Sequence, residues 1–563
     1  MSRALALAAL ALTAALIAPA SAGAVLAGAI DSRFASCGQA TALVPNSIAG
    51  RQFDYRAGSS LVVLPDGKVV AAGPAARGMG ATRFLPDGRL DTSFGGDGVA
   101  FIPTAGQSFE QSFVNAVAVQ PDGKVIAAGW RQTPSTSSSG MRPLIARFTA
   151  SGEPDTSFGG DGLVDELPPG TAAFGVDGVA LASDGSLIAA GNADNRFGVV
   201  RLRPDGSFEP AFGEGGVARV TTPGRPNGWG SGVFVRPDGR IVTAGYTYEN
   251  VARGAFTVAR LTAGGAPDPT FAGGGAVAEQ FDEHSLASTL VPLPDGRFYA
   301  IGTTEDRWGD EDYPSTTRRA AVVRYLEDGA RDTSFAGDGT VLDALGEGLH
   351  ADVGARGGAV DTDGRLTIAT SRTRLARYTA AGARDSAFGL DGVLRLFGAP
   401  TGDSLVALPD GGLLLGGANL RQGSRPRGFS FGPAIMRLAG SGAALAAVED
   451  QPAACSLRLR NPTITHMLRR GSVARNGRVL VGFYLTQPGR GSVSALLETG
   501  EDITIGEASF NSSSAGSSSI ELRVRAAAAQ RLRRLRSARI RVFLTLEEGG
   551  VVQPVTVAKT LRR

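Results

Sequence analysis

VAVQPDGKVIAAG occupies residues 117–129, and VFVRPDGRIVTAG repeats its pattern at residues 233–245. In both stretches a Pro-Asp-Gly turn joins two apolar runs. Proline presets φ for the second position of a type I turn, and aspartate tolerates the third position. Glycine then takes the left-handed conformation that completes a three-residue hairpin. Because the flanks are rich in alanine and β-branched residues, each stretch predicts a hairpin of two buried strands.

This hairpin recurs seven times along the 563-residue chain, with a Gly content of 79 residues that suits many short turns. The seven turns are Asp66-Gly67, Asp122-Gly123, Asp184-Gly185, Asp238-Gly239, Asp295-Gly296, Asp363-Gly364 and Asp410-Gly411. Each copy continues with a third apolar run such as IARFTASG (145–152) and a D-x-S-F-G-x-D-G segment, clearest at Asp155–Gly162. A short fourth strand such as GVAFIP (98–103) completes the copy. Four antiparallel strands per copy predict the blades of an all-β, seven-bladed β-propeller.

The repeat motifs resemble those of the bacterial delta-60 repeat family over most of residues 30–442. That family is defined by its repeat and not by a shared reaction, so the resemblance implies a propeller fold and no catalytic residues. The third and fourth copies depart from the pattern, with EPAFGEGG at 209–216 and DPTFAGGG at 268–275, and the seventh copy lacks the segment.

The missing piece of the seventh copy has a counterpart at the other end of the chain. Residues 30–35 read IDSRFA, which matches LDTSFG at 90–95, and the apolar run QATALV (39–44) follows. We therefore expect the N-terminal strand to complete the seventh blade and to close a propeller over residues 30–454, since closure removes the exposed sheet edges. Cys37 and Cys455 flank this junction, and we expect them to form a disulfide; two unrelated buried thiols are the alternative.

Residues 1–22 predict a signal peptide. Arg3 precedes an apolar run from Ala4 to Ala18, and PASA (19–22) is a small-residue cleavage site. A membrane anchor is the alternative, but the run is shorter than the roughly 20 residues that span a bilayer. Because no later stretch is long and apolar enough to cross a membrane, we expect a soluble mature protein that is secreted or held at the cell surface.

The character of the chain changes at residues 455–563, which hold 18 Lys+Arg and 7 Asp+Glu, a balance of +11. Strand-like runs such as RVLVGFYL (478–485) and ARIRVFLTL (538–546), with a helical piece at 526–535, predict a small basic β-sandwich-like module. A loosely packed wall-anchoring tail is the alternative. The densest basic cluster is Arg531, Arg533, Arg534 and Arg536. This cluster predicts attraction to an anionic cell-envelope polymer, and a solvated charged face is the alternative. Because the cluster contains no aromatic residues on which bases could stack, it does not favour nucleic-acid binding.

Aromatic residues mark the candidate binding face. In a propeller, the loops between second and third strands share one face with the links between blades, and variable loops on a rigid scaffold carry function. We expect Trp130 and Trp308 in such loops and Trp229 in a link, joined by aromatic residues that include Tyr246 and Tyr313. Exposed aromatic rings suit a glycan or a protein or peptide ligand, whereas loop packing and plugging of the channel mouth are the alternatives.

Enzyme signals are weak. His284 and His350 lie in adjacent links with acidic residues nearby, which leaves a metal-assisted lyase or hydrolase as the alternative function; chance placement on polar loops explains them as well. The chain has no H-E-x-x-H motif and no P-loop, and we expect no cofactor. The sequence thus predicts a non-enzymatic, secreted or surface-associated binding protein, with a purely structural role as a further alternative.

Overall fold

The structure is a computed structural model of the chain. It describes residues 31, 34–35, 39–41, 60–75, 78–103, 111–133, 140–249, 253–308, 315–345, 354–370, 374–388, 392–395, 404–422, 429–438, 459–464, 478–485, 489–498, 503–512, 516–523, 537–548 and 551–562. Several residues singled out in the sequence lie outside these ranges: Cys37, Tyr313, His350, Cys455, Arg531, Arg533, Arg534 and Arg536, together with residues 1–22 and 526–535.

The first strand, β1 (Gln39–Thr41), is separated in sequence from the sheet that it joins. Six sheets after it each use four consecutive antiparallel strands. Blade one contains β2 (Ser60–Val63), β3 (Val69–Ala75), β4 (Gly78–Phe84) and β5 (Val99–Pro103). Blade two contains β6 (Gln111–Val119), β7 (Val125–Gln132), β8 (Met141–Phe148) and β9 (Leu163–Val164). Blade three contains β10 (Phe174–Leu181), β11 (Leu187–Ala193), β12 (Arg196–Leu202) and β13 (Val217–Val220).

The next three blades follow the same order. Blade four contains β14 (Asn227–Val235), β15 (Ile241–Tyr248), β16 (Gly254–Leu261) and β17 (Ala276–Glu279). Blade five contains β18 (His284–Pro292), β19 (Phe298–Trp308), β20 (Ser315–Tyr325) and β21 (Thr340–Asp343). Blade six contains β22 (Ala355–Val360), β23 (Leu366–Thr370), β24 (Arg374–Tyr378) and β25 (Val393–Arg395).

The seventh blade is built from both ends of the propeller. It contains β26 (Ser404–Ala407), β27 (Leu413–Gln422), β28 (Phe429–Leu438) and β1 in the outermost position. Gln39 pairs with Met436, Ala40 with Ile435 and Thr41 with Ala434. The first strands of adjacent blades contact one another all the way around, including β26 with β2, so they form the innermost ring. The predicted all-β, seven-bladed propeller is confirmed.

Tight turns and inter-blade packing explain why the repeat folds in this way. Gly67 and Gly123 have φ of +80° and +85°, the left-handed conformation predicted for the turn. In the same turns the Asp66 carboxylate accepts the Lys68 N–H at 3.1 Å, and Asp122 accepts the Lys124 N–H at 3.2 Å. The apolar core lies between blades, where Phe94 of blade one packs in one cluster with residues of blade two such as Leu144.

The D-x-S-F segment has a structural role. In blade two, Arg147 Nε donates to Asp155 Oδ2 at 2.7 Å and Arg147 Nη2 donates to Ser157 Oγ at 2.9 Å. The guanidinium lies 4.6 Å from the centroid of the Phe158 ring, and its Nη1 donates to the Pro204 carbonyl oxygen of blade three at 2.5 Å. Blades one, four and five repeat these contacts. The motif therefore joins each of these blades to the next.

The C-terminal residues form two further antiparallel sheets. One contains β29 (Leu459–Ile464), β30 (Arg478–Leu485) and β33 (Gly516–Arg523). The other contains β31 (Gly489–Glu498), β32 (Ile503–Ser512), β34 (Ser537–Glu548) and β35 (Val551–Arg562). The strand-like runs of the sequence thus fall on strands, and the arrangement of the two sheets as a sandwich stays a prediction.

Candidate functional site

The aromatic residues expected in loops lie in strands. Trp130 is in β7 and pairs with Pro143, whereas Trp229 is in β14, the innermost strand of blade four, and pairs with Tyr246. Trp308, also expected in a loop, ends β19 and pairs with Ser315 in a long hairpin. The loop and link assignments were wrong because these strands extend beyond the repeat, and aromatic side chains favour such pairing.

Three aromatic residues, Phe113, Trp130 and Trp229, meet near the centre of the ring, and we call them the aromatic cluster. Phe113 of β6 stacks on Trp130, with ring centroids 4.2 Å apart and an angle of 26° between the rings. Trp130 meets Trp229 edge to face, with centroids 6.5 Å apart and an angle of 62°. All three side chains are half-buried. The cluster therefore joins blades two and four.

Gly175 explains how the two tryptophans meet across blade three. It occupies the position in β10 that Phe113 and Trp229 occupy in their own innermost strands, two residues before a β-bulge. A Cβ at Gly175 would lie 3.4 Å from Cγ of Trp130. A large side chain at this position would therefore displace the Trp130 ring, so glycine keeps the space that the ring occupies.

Asn115 and Asp177 form hydrogen bonds next to the aromatic cluster. Neither residue was predicted from the sequence. Asn115 Nδ2 donates to Asp177 Oδ1 at 2.5 Å and to the Val176 carbonyl oxygen at 3.1 Å. The indole N–H of Trp229 donates to Asp177 Oδ2. Asn115 and Asp177 are each the extra residue of a bulge in an innermost strand. A signal for both residues was present in the sequence. Each is a polar residue that interrupts an apolar run seven residues before the turn aspartate of its copy.

A second group of rings lies beside the cluster in blades four and five. Tyr246 stacks on Tyr248 with centroids 5.8 Å apart and meets His284 edge to face at 5.7 Å. Burial raises the pKa of the Tyr248 phenol. Nδ1 of His284 accepts the Gly254 N–H at 2.9 Å. His284, expected in a link, is thus the first residue of β18 and is engaged with blade four.

The structure brings together only part of the predicted site. Trp130, Trp229 and Tyr246 belong to one aromatic region, whereas the Trp308 side chain, Tyr313 and His350 lie outside the described residues. Within the described ranges, no group of three or more His, Cys, Asp or Glu residues is placed to hold a metal ion. The same part of the chain contains no helix that is long and apolar enough to cross a membrane.

The opposite face, which carries the Pro-Asp-Gly turns, has two shallow cavities of about 530 and 380 Å³. The larger one lies between blades four and five and is lined by Arg240, Arg260 and Arg297 among others. Asp268 pairs with Arg240 at 3.1 Å and with Arg260 at 2.7 Å, and Asp332 pairs with Arg297 at 2.8 Å. These charges are already partnered within their own blades, so we place the candidate site on the aromatic face.

The ring of four-stranded sheets defines a β-propeller protein. Five segments match the model of the family described as a "domain of unknown function (DUF5122) beta-propeller": residues 64–94, 120–158, 182–212, 236–271 and 293–335. This match supports a propeller family, and assignment to the delta-60 repeat family by name stays a prediction.

Comparison with curated proteins found no match. Three similar solved structures are described as RRP9 WD40 repeats, U3-55K and the Dos1 propeller. The first is 12% identical with a TM-score of 0.38, and the alignment covers 71% of this chain and 99% of that chain. The second is 12% identical with a TM-score of 0.38 and coverage of 70% and 99%. The third is 9% identical with a TM-score of 0.38 and coverage of 68% and 79%.

Proposed function

We propose that this protein is a non-enzymatic binding protein, secreted or held at the cell surface, whose glycan or peptide ligand binds the aromatic cluster and Tyr246. The observation that carries the proposal is the meeting of Trp130 and Trp229 from two different blades, with both rings half-buried. Tryptophan and tyrosine supply large apolar contact area together with a polar atom, which is why they dominate binding sites. The extracytoplasmic location is supported by the signal-peptide pattern of residues 1–22.

The experiment is a binding screen of the purified protein on oligosaccharide and peptide arrays, followed by titration of each hit. We expect Trp229→Ala and Trp130→Ala to weaken binding at least fivefold, since removal of a central aromatic anchor costs more than about 1 kcal/mol. Leu326→Ala is the matched control, because Leu326 is a 37% exposed hydrophobic residue on the turn face. Absence of any hit, or hits that all three variants bind equally, would overturn the proposal.

A second part of the proposal concerns retention at the envelope. We propose that Arg531, Arg533, Arg534 and Arg536 attract an anionic envelope polymer, supported by the +11 balance of residues 455–563. The test is retention of the full chain on an immobilised polyanion such as alginate. Replacement of all four by glutamine should abolish retention at low salt, and replacement by lysine should preserve it. Equal retention of the glutamine variant would contradict this assignment.

The metal-assisted alternative gains no support from the described residues. Nδ1 of His284 already accepts a backbone hydrogen bond, and the described part of the chain offers no metal-ligand group around it. His350 lies outside the described residues. We therefore do not propose catalysis.

A further inference from the structure

A β-bulge recurs at one position in the innermost strands of five consecutive blades. In each strand the register with the second strand shifts by one residue, so the innermost strand contains one extra residue at that point. The five extra residues are all polar, and we call them the polar girdle: Asn115, Asp177, Ser231, Ser288 and Arg356. Each stands seven residues before the turn aspartate of its copy. A recurring bulge re-aims a side chain at the cost of regular pairing, and such bulges accompany functional sites.

The girdle lies at the centre of the ring. Its residues belong to the strands that contact one another around the propeller axis. The strands approach closely there, since a Cβ at Gly178 would lie 2.3 Å from the Ser231 carbonyl oxygen. All five residues are half-buried, while the residues that follow Asn115, Asp177 and Arg356 are buried. The repeat therefore places polar side chains at one level of five innermost strands.

The girdle is continuous with the aromatic cluster. Ser231 follows Trp229 by two residues in β14, and Asp177 accepts the indole N–H of Trp229. Asn115 fixes Asp177 from the other side, so the carboxylate and the ring are oriented before any ligand binds. Within the described part of the chain, neither the Ser231 nor the Ser288 hydroxyl makes a side-chain hydrogen bond.

We propose that the polar girdle binds the hydroxyl groups of a carbohydrate ring whose C–H face lies on Trp229. This inference rests on the proposed binding function and specifies the ligand class. A sugar ring has one apolar face and a rim of hydroxyl groups, which matches an indole face next to hydroxyl, amide and carboxylate groups. The girdle carries one negative and one positive side chain, Asp177 and Arg356, so it has no net charge to select a simple ion.

The experiment titrates the full-length protein with the oligosaccharides that bind in the array screen. Binding is followed by tryptophan fluorescence and by isothermal titration calorimetry. We expect the double variant Ser231→Ala/Ser288→Ala to bind about tenfold more weakly, because it loses two ligand hydrogen bonds. Neither serine has a positive φ, so alanine fits the backbone. Ser183→Ala is the control, since Ser183 is exposed in a first-to-second strand turn on the opposite face. Both variants should keep the unfolding midpoint of the parent.

The outcomes separate this inference from the proposed function. Oligosaccharide binding that is lost in Trp229→Ala but unchanged in the double serine variant would contradict the binding role of the polar girdle. The proposed aromatic binding site would still stand. Binding of peptides only would overturn the carbohydrate class and leave the binding function. Absence of both kinds of ligand would overturn the proposed function itself.

Discussion

The backbone N–H of Ala35 donates to the Asp87 carbonyl oxygen at 2.6 Å, and this hydrogen bond joins the last blade of the ring to the first. The equivalent bond joins other neighbouring blades: Gly95 to Ser151, Gly159 to Asp205, Gly213 to Gly264, Ala272 to Asp328 and Ala336 to Ala381. The N-terminal segment thus closes the ring with the same contact that the repeat uses elsewhere. Phe34 supports the junction, since a Cβ at Gly88 of blade one would lie 2.8 Å from its ring.

Phe34→Ala tests this closure. Phe34 is 2% exposed, so its truncation should lower the free energy of unfolding by about 3–5 kcal/mol, as for a core phenylalanine. The measurement is equilibrium denaturation, with Phe94→Ala as the matched variant because Phe94 is the equivalent fully buried residue of blade one. If Phe94→Ala destabilises the protein and Phe34→Ala does not, the N-terminal segment does not close the ring in solution.

Blade six contains a defect in the repeat that predicts a stabilising substitution. Arg377 pairs with Asp385 at 2.7 Å, but Ala387 stands where blades two and five have Ser157 and Ser334. Nη2 of the buried Arg377 consequently has no hydrogen-bond partner in the described part of the chain, and burial lowers the pKa of this guanidinium. Leaving a buried donor unsatisfied is unfavourable.

Ala387→Ser should therefore raise the free energy of unfolding by about 1 kcal/mol, the usual contribution of one hydrogen bond. Ser334→Ala is the reciprocal control, and it should lower stability by a similar or larger amount because it removes the bond to Arg324. Denaturant titration of both variants supplies the measurement. A destabilised Ala387→Ser protein would show that the space beside Arg377 does not admit a hydroxyl group.

Acid should weaken the ion pairs of the D-x-S-F segments, such as Asp91 with Arg83 within blade one. Burial alone would raise the pKa of the Asp91 carboxyl, but hydrogen bonds from Ser93 and the charge of Arg83 outweigh it and lower the pKa to about 2. The pKa of Asp91 is lower in the folded protein than in the unfolded chain. The stabilisation from its carboxylate is therefore fully present above about pH 4 and is lost as the pH falls through about 2. The expected loss for this site is about 2 kcal/mol.

The check is the free energy of unfolding between pH 2 and pH 6 for the parent and for Ser93→Ala. The variant removes the hydrogen bond that the Ser93 hydroxyl gives to Asp91, so its stability should fall less steeply with acid. The pKa values of Asp155 and Asp332 are lowered for the same kinds of reason, so the parent retains some pH dependence in any case. An unchanged slope in Ser93→Ala would contradict the assignment to Asp91.

The fold was predictable because its determinants are local and repeated. The Pro-Asp-Gly turn sets φ and strand pairing within a few residues, and seven copies of it fix the blade count. The orphan fragment at residues 30–35 also pointed to the seventh blade, where β1 pairs with β28. The turn aspartates Asp66 and Asp122 accept backbone N–H groups two residues later, which is again a local contact.

The site was less predictable because it depends on register and on contacts between blades. Asn115 interrupts an apolar run, and only the register shift of β6 shows that it is a bulged residue that reaches Asp177 of the next blade. The contact between Trp130 and Trp229 depends on Gly175 of the intervening blade. Sequence patterning therefore could not show which side chains meet.

Cys37 lies two residues before β1 and Cys455 follows the seventh blade, and we predict a disulfide between them. A Cys37–Cys455 bond would tie the closing strand to the chain beyond β28, and the ideal chain-entropy contribution for so long a loop is roughly 5 kcal/mol. Non-reducing peptide mapping of the protein purified under oxidising conditions should recover the two cysteines in one cross-linked peptide. Cys37→Ser/Cys455→Ser should unfold at lower denaturant than the parent under oxidising conditions, and the difference should vanish with a reductant. Recovery of both thiols in alkylated form from the native protein would show that the ring closes through β1 alone.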